Sequence, residues 1–326
     1  MSDYQGYDAL AATVRLKDIT SSEGNRAILH RMKNNDPALE YLYISSPDNI
    51  NPDEPNQYVL REGDHLGWLG YFIGENFTLT EMYVHHVPAD IGQAREMFKG
   101  FERNKTITSV DIDTTVLNEG LSAMNMPHVK SIGFDCQLER DAAHCFAGEG
   151  VKALAVALVD NRSIRALNLG RNNIGDDGLK ALASSLTHNQ GLRVLNISDN
   201  NIGDEGLEAL ANSLASNRKL RGLHLSNNNI GDTGLLAMTV SLAQNRALRV
   251  ISLSGNTEIT EIGLMAMARA LQSRKCKLED LRLDRINIGD GAKILARVLS
   301  INKSLVSLSL TCGGGITSQK TQQLPQ

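Results

Sequence analysis

Ile164-Arg-Ala-Leu167-Asn-Leu169-Gly-Arg-Asn172-Asn-Ile174-Gly-Asp176-Asp-Gly178-Leu-Lys-Ala-Leu182 returns 28 residues later as Leu192-Arg-Val-Leu195-Asn-Ile197-Ser-Asp-Asn200-Asn-Ile202. Leu220, Leu223, Leu225 and Asn228 begin a third copy, and Leu248, Ile251, Leu253 and Asn256 a fourth. The copies start at 164, 192, 220 and 248. A fixed period of this size marks a stacked repeat, in which each unit buries its apolar face only against its neighbours.

Each copy opens with L-x-x-L-x-L, an apolar/polar alternation that suits a short strand with one buried face. The Asn at the ninth position (Asn172, Asn200, Asn228, Asn256) stands where the strand turns sharply and strands backbone groups without partners. An amide carries both donor and acceptor, so a column of these residues predicts a structural ladder between turns. Asp176, Asp204 and Asp232 fall where an N-cap carboxylate takes the free N–H groups of a helix start. Leu179, Leu182, Ala183 and Leu186 then form an apolar stripe at helical spacing. Asn189, Asn217 and Asn245, three residues before the next strand, are predicted to end each helix in the left-handed conformation. Strand and helix alternate, so the strands are expected to be parallel neighbours. Helices are wider than strands, which predicts a bent coil with the strands on its concave side.

Over residues 154–310, and more loosely before them, these motifs resemble the leucine-rich repeat family in its ribonuclease-inhibitor-like branch. The resemblance implies an α/β fold, a right-handed βα solenoid with a parallel concave sheet of about ten strands and helices on the convex side. It also implies binding of a protein partner. The branch includes the Ran GTPase-activating protein and the repeat regions of nucleotide-binding immune receptors, so enzyme regulation of the GTPase-activating type is the alternative it suggests.

Outward from the regular repeats, residues 164–312, the pattern loosens. Residues 39–163 read as divergent repeats, with strands at 39–44, 79–84, 107–112 and 129–134 and helices near 65–73, 116–124 and 151–159. The starts at 79 and 107 keep the 28-residue phase. Residues 45–64, with Pro47, Pro52 and Pro55, read as an oversized loop. Residues 1–38 read as an irregular lead-in and a capping helix near Ser22–Lys33, broken at Asp36-Pro37. Strands at 278–283 and 305–310 complete ten, and the Gly-, Gln- and Thr-rich residues 313–326 are expected to be a disordered tail.

Composition narrows the function classes. The chain has 326 residues, 41% hydrophobic but only 4% aromatic, which fits a core of Leu, Ile and Ala. A net charge of −4 implies no basic surface large enough for nucleic acid or an acidic membrane. Cys136, Cys145, Cys276 and Cys312 form no C-x-x-C, which predicts reduced thiols in a reducing, cytoplasmic setting, the nucleus remaining open. No apolar run suggests a signal peptide or a membrane span. Phosphate-binding, nucleophile-elbow, zincin and dinucleotide motifs are all missing, so the expectation is a monomeric binding protein, no enzyme, without cofactor or metal.

Repeat position assigns the outward face, because the third, fifth, seventh and eighth residues point away from the core. The early strands thereby present Tyr41, Tyr43, Glu81, Tyr83, His85, His86, Asp111, Asp113 and Asp135. Tyrosines there are not required by the repeat, and tyrosine is enriched where proteins grip one another. These residues are the leading candidate contact surface, suited to a basic partner, although exposed strand residues are also polar for β-propensity alone. His85, Asp113 and Asp135 share the seventh position of three consecutive strands, a column that reads either as a cation site or as a solvated polar ladder. Coordination across two strand steps is wide, which favours the ladder. Arg282 and Arg285 can grip a carboxylate or phosphate, or instead form an internal ion-pair ladder with Asp280 and Asp284.

Overall fold

The computed structural model describes residues 5–85, 97, 99–101, 103–113, 128–135, 149–286, 289 and 291–311. The helix expected at 116–124, the tail at 313–326, Cys136, Cys145 and Cys312 lie outside them. So do His86 and the side chains of Asp113 and Asp135. The chain divides into two compact units, Met1–Asp135 and Cys136–Gln326.

The second unit alternates helix and strand as its period requires. Helix α4 (Glu149–Asp160) leads into β6 (Ala166–Asn168), followed by α5 (Gly175–His188), β7 (Val194–Asn196), α6 (Asp204–Leu214) and β8 (Gly222–His224). Then come α7 (Asp232–Leu242), β9 (Val250–Ser252), α8 (Glu261–Leu271), β10 (Asp280–Arg282), α9 (Gly291–Leu299) and β11 (Ser307–Ser309). The strands pair in parallel and in chain order, with Leu167, Leu195, Leu223, Ile251, Leu281 and Leu308 in one register. The first five are at most 1% exposed, so one column of side chains runs through the core. Each Leu is worth roughly 1.5–3 kcal/mol of burial.

The Asn172–Asn256 column is the expected ladder. Asn200 Oδ1 accepts from Asn172 N (2.9 Å) and Ile174 N (3.2 Å), while its Nδ2 donates to Leu169 O at 2.7 Å. Asn228 repeats the pattern on Asn200 N, Ile202 N and Ile197 O. Each amide thus completes the backbone of the preceding turn.

The column Asn189, Asn217 and Asn245 differs from expectation. Asn189 ends its helix with φ −63° and ψ 127°, an extended rather than left-handed residue. Its amide makes a second ladder instead. Asn217 Nδ2 donates to Leu186 O (2.6 Å) and Asn245 Nδ2 to Leu214 O (2.7 Å), each the free carbonyl of the preceding helix end. The Oδ1 of each accepts from the first leucine of its own strand, Leu220 N and Leu248 N at 2.9 Å. Left-handed residues sit after the strand, at the eighth position: Arg171 (φ 62°), Asp199 (φ 58°), Asn227 (φ 54°), Gly255 (φ 78°) and Arg285 (φ 57°).

The aspartates cap, but not their own helices. Asp176 Oδ1 accepts from Gly203 N (2.7 Å) and Gly206 N (3.0 Å), the start of the next repeat's helix. Asp204 does the same for Gly231 N at 2.7 Å. Asp232 takes Thr260 N (2.8 Å), Thr260 Oγ1 (2.6 Å) and Gly263 N (2.9 Å). A Cβ at Gly206, Gly234 or Gly263 would lie 2.5–2.6 Å from the capping oxygen, which explains the glycine three or four residues into each loop-to-helix junction. Each carboxylate therefore ties two repeats together.

The first unit holds α1 (Gln5–Leu10), α2 (Glu23–Lys33), β1 (Tyr41–Ser45), β2 (Gln57–Val59), α3 (Leu66–Glu75), β3 (Glu81–Val84), β4 (Ser109–Asp113) and β5 (Ser131–Asp135). Ser22 caps α2 by accepting from Asn25 N. Its strands run β2-β1-β3-β4-β5, all parallel. Two elements depart from the sequence reading. The expected loop at 45–64 contains β2, bringing the described strands to eleven. It forms because Asn25 clamps Val59 from outside, donating to its carbonyl (2.7 Å) and accepting from its N–H (3.0 Å), so a side chain occupies the free sheet edge. The lead-in contains α1, held by Tyr7, whose ring meets Trp68 edge-on at 4.6 Å and stacks on Tyr71 at 5.9 Å. Asn76 and Asn104 extend the helix-end ladder here, onto Met32 O (3.1 Å) and Ile73 O (2.7 Å).

Candidate functional site

Strand alternation places the aromatic residues of the first unit. In β1, Leu42 and Ile44 are buried while Tyr41 and Tyr43 are half-buried on the other face; in β3, Met82 and Val84 are buried beside exposed Glu81 and half-buried Tyr83. The β1–β3 register sets Tyr41 opposite Glu81 and Tyr43 opposite Tyr83. The rings consequently interlock. Tyr41 meets Tyr83 edge-on at 6.4 Å, Tyr43 stacks on Tyr83 at 6.3 Å, and Tyr43 stacks on His85 at 5.3 Å. Aromatic pairs in these geometries add roughly 0.5–1.5 kcal/mol beyond their area, so the group is rigid before any partner arrives.

Acidic groups edge this platform. Tyr83 donates its phenolic O–H to Glu81 Oε2 at 2.7 Å. That bond, then burial and the Glu81 charge, pushes the Tyr83 pKa up to about 12. Glu54 raises the Tyr41 phenol in the same way, chiefly through a hydrogen bond. Both phenols stay protonated at neutral pH and offer neutral rings with polar tips. In β4, Asp111 pairs with Tyr83 on one side and with Gly133 of β5 on the other. A Cβ at Gly133 would lie 2.7 Å from Asp111 Oδ2, so the glycine makes room for that carboxylate. His85 is only 6% exposed, and its Nε2 stands 3.9 Å from Asp111 Oδ1, beyond hydrogen-bond reach.

Tyr41, Tyr43, Glu81, Tyr83 and Asp111 are thus brought together as one surface, whereas His85, expected to face outward, is buried against the Tyr43 ring. The backbones of Asp113 and Asp135 are paired across β4 and β5. Among the described residues no group of three or more His, Cys, Asp or Glu is arranged to hold a metal ion.

Arg282 and Arg285 belong to the second unit and are engaged there. Arg282 Nη2 bonds Asp280 Oδ2 at 2.9 Å along its own strand. Arg285 Nη2 reaches across two repeats to Asn227 Oδ1 at 2.7 Å. Asp284 turns to hydroxyls instead, accepting from Ser309 Oγ (2.7 Å) and Thr311 Oγ1 (2.9 Å). An internal ladder is what these residues build, though a mixed one rather than a row of ion pairs.

Sequence reasoning overlooked a column at the second repeat position. Arg165, Arg193, Arg221 and Arg249 are each 28 apart and immediately precede paired strand residues. Burial, then the like charges of Arg165 and Arg221, lower the Arg193 pKa. A net charge near zero hid this column; counting charge by repeat position would have shown it.

Comparison with known proteins adds the family signal. The family model described as Leucine Rich repeat matches residues 160–183, 188–211 and 216–238. No curated protein matches the chain. Among solved structures it is similar to the actin-binding site 2 of leiomodin-1, at 20% identity and TM-score 0.39, covering 49% of this chain and 89% of that one. A Caenorhabditis elegans tropomodulin C-terminal domain is similar at 17% identity and TM-score 0.36, covering 57% of this chain and 93% of that one. No described helix is long and apolar enough to cross a membrane. The matched segments coincide with strand–helix coils of the second unit, so residues 160–238 carry leucine-rich repeats.

Proposed function

We propose that the protein is a non-enzymatic, intracellular binding module that grips a protein partner with the aromatic and acidic sheet face of its first unit. The observation behind this reading is the interlocked set Tyr41, Tyr43, Tyr83 and His85, edged by Glu81 and Asp111. Leucine-rich coils need no aromatic residue at these positions, and here the rings are pre-organised, which lowers the entropy lost on binding. Neutral phenols beside carboxylates suit a partner segment that offers aliphatic groups together with Lys or Arg. The 28-residue period with a full helix per coil supports placing the chain in the ribonuclease-inhibitor-like branch.

Affinity capture from native lysate tests the reading, with the intact protein set against a Tyr41→Ala/Tyr83→Ala/Asp111→Ala variant. At least one protein captured by the intact chain should be lost from the variant, and adding it back should slow hydrogen exchange in β1 and β3. If every captured protein survives the triple change, this face is not the contact surface.

A further inference from the structure

The charge of the second unit is sorted onto two opposite edges. The six segments leading from helix to strand (residues 160–165, 188–193, 216–221, 244–249, 272–279 and 300–306) carry twelve Lys and Arg against only Asp160 and Glu279. The five segments leading from strand to helix (169–178, 197–206, 225–234, 253–262 and 283–291) carry ten acids against Arg171 and Arg285. Three of these acids, Asp176, Asp204 and Asp232, serve the fold as caps. On the other edge Arg165, Arg193, Arg218 and Arg249 donate to loop carbonyls, bonds that leave their charge uncancelled.

The basic edge is largely uncompensated. Arg249 pairs with Glu279 at 3.0 Å, and this is the one ion pair on that edge among the described residues. Arg165 and Arg193 donate to backbone carbonyls of the next turn, Gly191 O at 2.9 Å and Lys219 O at 3.4 Å, which orders them without cancelling charge. Arg162, Arg218, Arg221 and Arg246 are exposed. Like charges one strand step apart, about 4.8 Å, oppose one another, and a ligand of opposite sign relieves that repulsion.

The row ends in a cleft. A cavity of about 610 Å³ opens between the last two helix-to-strand turns, lined by Arg274, Lys277 and Lys303 around Leu271, Cys276 and Ile301. No acidic residue lines it, and Ile301 is 65% exposed. Three cations around an aliphatic floor fit a ligand carrying negative and apolar groups together.

We propose that this edge is a docking ridge for an acidic, extended polypeptide segment, whose apolar side chain seats in the cleft between Arg274 and Lys303. Spacing favours a polypeptide. In a polyproline II chain, with three residues per turn and a rise of about 3.1 Å each, every third residue returns to the same face roughly 9 Å on, close to two strand steps, so an acid at each third position meets every second arginine. Nucleic acid is disfavoured because residues 149–311 contain no Phe, Trp or Tyr on which bases could stack. A narrow band of cations along one edge also suits one chain better than a lipid surface. This surface is independent of the tyrosine face, and either can fail without the other.

Fluorescence anisotropy with the full chain tests it. The probe is a short labelled peptide with glutamate at every third position and one leucine, set against the same peptide with glutamine for glutamate, an oligothymidylate of equal length, and phosphatidylserine vesicles. The glutamate peptide should bind most tightly, and more weakly as salt rises. Arg193→Glu/Arg221→Glu should reduce its affinity at least about fivefold, as should Ile301→Ser, while Glu258→Lys on the other edge changes it less. Should the double reversal unfold by circular dichroism, the exposed pair Arg162→Glu/Arg218→Glu replaces it with the same threshold. The proposal is overturned if the oligonucleotide or vesicles bind more tightly than the peptide, or if the ridge variants lose less than that factor. Self-association of the chain at low salt, through its own acidic edge, would also overturn it.

Discussion

The two units reach the same coil by different means. In the second, every turn is held by repeated polar columns: the Asn172–Asn256 ladder, the Asn189–Asn245 ladder and the Asp176–Asp232 caps. In the first, the helix-end ladder persists at Asn76 and Asn104, but no Asn stands at the ninth position of the strands starting at 79 and 107, where Val87 and Thr115 are found. Aromatic packing replaces the lost regularity. Trp68, Tyr71 and Phe72 of α3 pack on one another and on Tyr7, and thirteen of the fourteen aromatic residues precede Cys136. The lesson is that a repeat keeps the groups its backbone cannot do without and varies the rest. Where the sequence lacks the ladder asparagine, the outward face is aromatic and acidic; where the ladder is kept, Asn168, Asn196 and Ser252 stand there with Val194 and His224.

The strongest test of this contrast is to damage each unit's own device. Phe72→Ala (3% exposed) should destabilise the first unit by about 3–5 kcal/mol and Leu195→Ala (1% exposed) the second by about 2–5 kcal/mol, measured by denaturant unfolding. In the Leu195 variant, hydrogen exchange should speed up first in the repeats flanking β7, because each coil touches only its neighbours. Uniform loss of protection across the second unit would break the picture of nearest-neighbour coils.

A smaller effect separates ladder from ornament. Asn200→Ala leaves two buried N–H groups and a carbonyl without partners and should cost on the order of 3 kcal/mol, whereas Asn201→Ala, exposed and bonded through its side chain to Asn173, should cost only about 1 kcal/mol, mostly from its left-handed φ of 54°. Equal losses at the two positions would mean the amide column is not what closes the turns.

Smaller still is the cap. Burial alone would raise the Asp232 pKa, but the bonds from Thr260 Oγ1, Thr260 N and Gly263 N outweigh it and leave the carboxyl below its usual 3.8. A depressed folded-state pKa gives stability that is complete above the unfolded value and vanishes as pH falls through the folded one. Asp232→Ala should therefore cost about 1 kcal/mol at neutral pH. That gap should narrow below pH 3.8, and a gap independent of pH would show that the carboxylate charge is irrelevant to the α8 start.

Least of all, Tyr83→Phe should hardly move stability. It should remove one phenol from the ultraviolet titration near pH 12, where Tyr83 is placed by its bond to Glu81. Were the missing phenol one that titrates near pH 10, the platform would be looser than its geometry implies.

Much of this was legible along the chain. The period, the leucine column and the ladder at Asn172, Asn200, Asn228 and Asn256 follow from residue spacing, because each is a local requirement met again every 28 residues. Tyr41, Tyr43, Tyr83 and Asp111 could be placed on one face because strand alternation has a period of two. Residue type alone misjudged three things. Asn189 looked like a left-handed helix end, yet the carbonyl it serves belongs to the previous repeat. Asp176 looked like the cap of its own helix, yet the next helix lies closer to its carboxylate, with Gly206 leaving the gap. Residues 57–59 looked like loop, yet Asn25, 34 residues away from Val59, turns them into an edge strand.

The sequence by itself determined that the chain coils, how long each turn is and which leucines fill it, since nearest-neighbour stacking needs nothing beyond local pattern. Only the tertiary structure decided which repeat each polar side chain serves and that β2 closes the first unit's edge. The physical reason is common to both. Hydrogen bonds and fields act through space at 3–5 Å, and stacking brings together groups that the chain holds 28 or more residues apart.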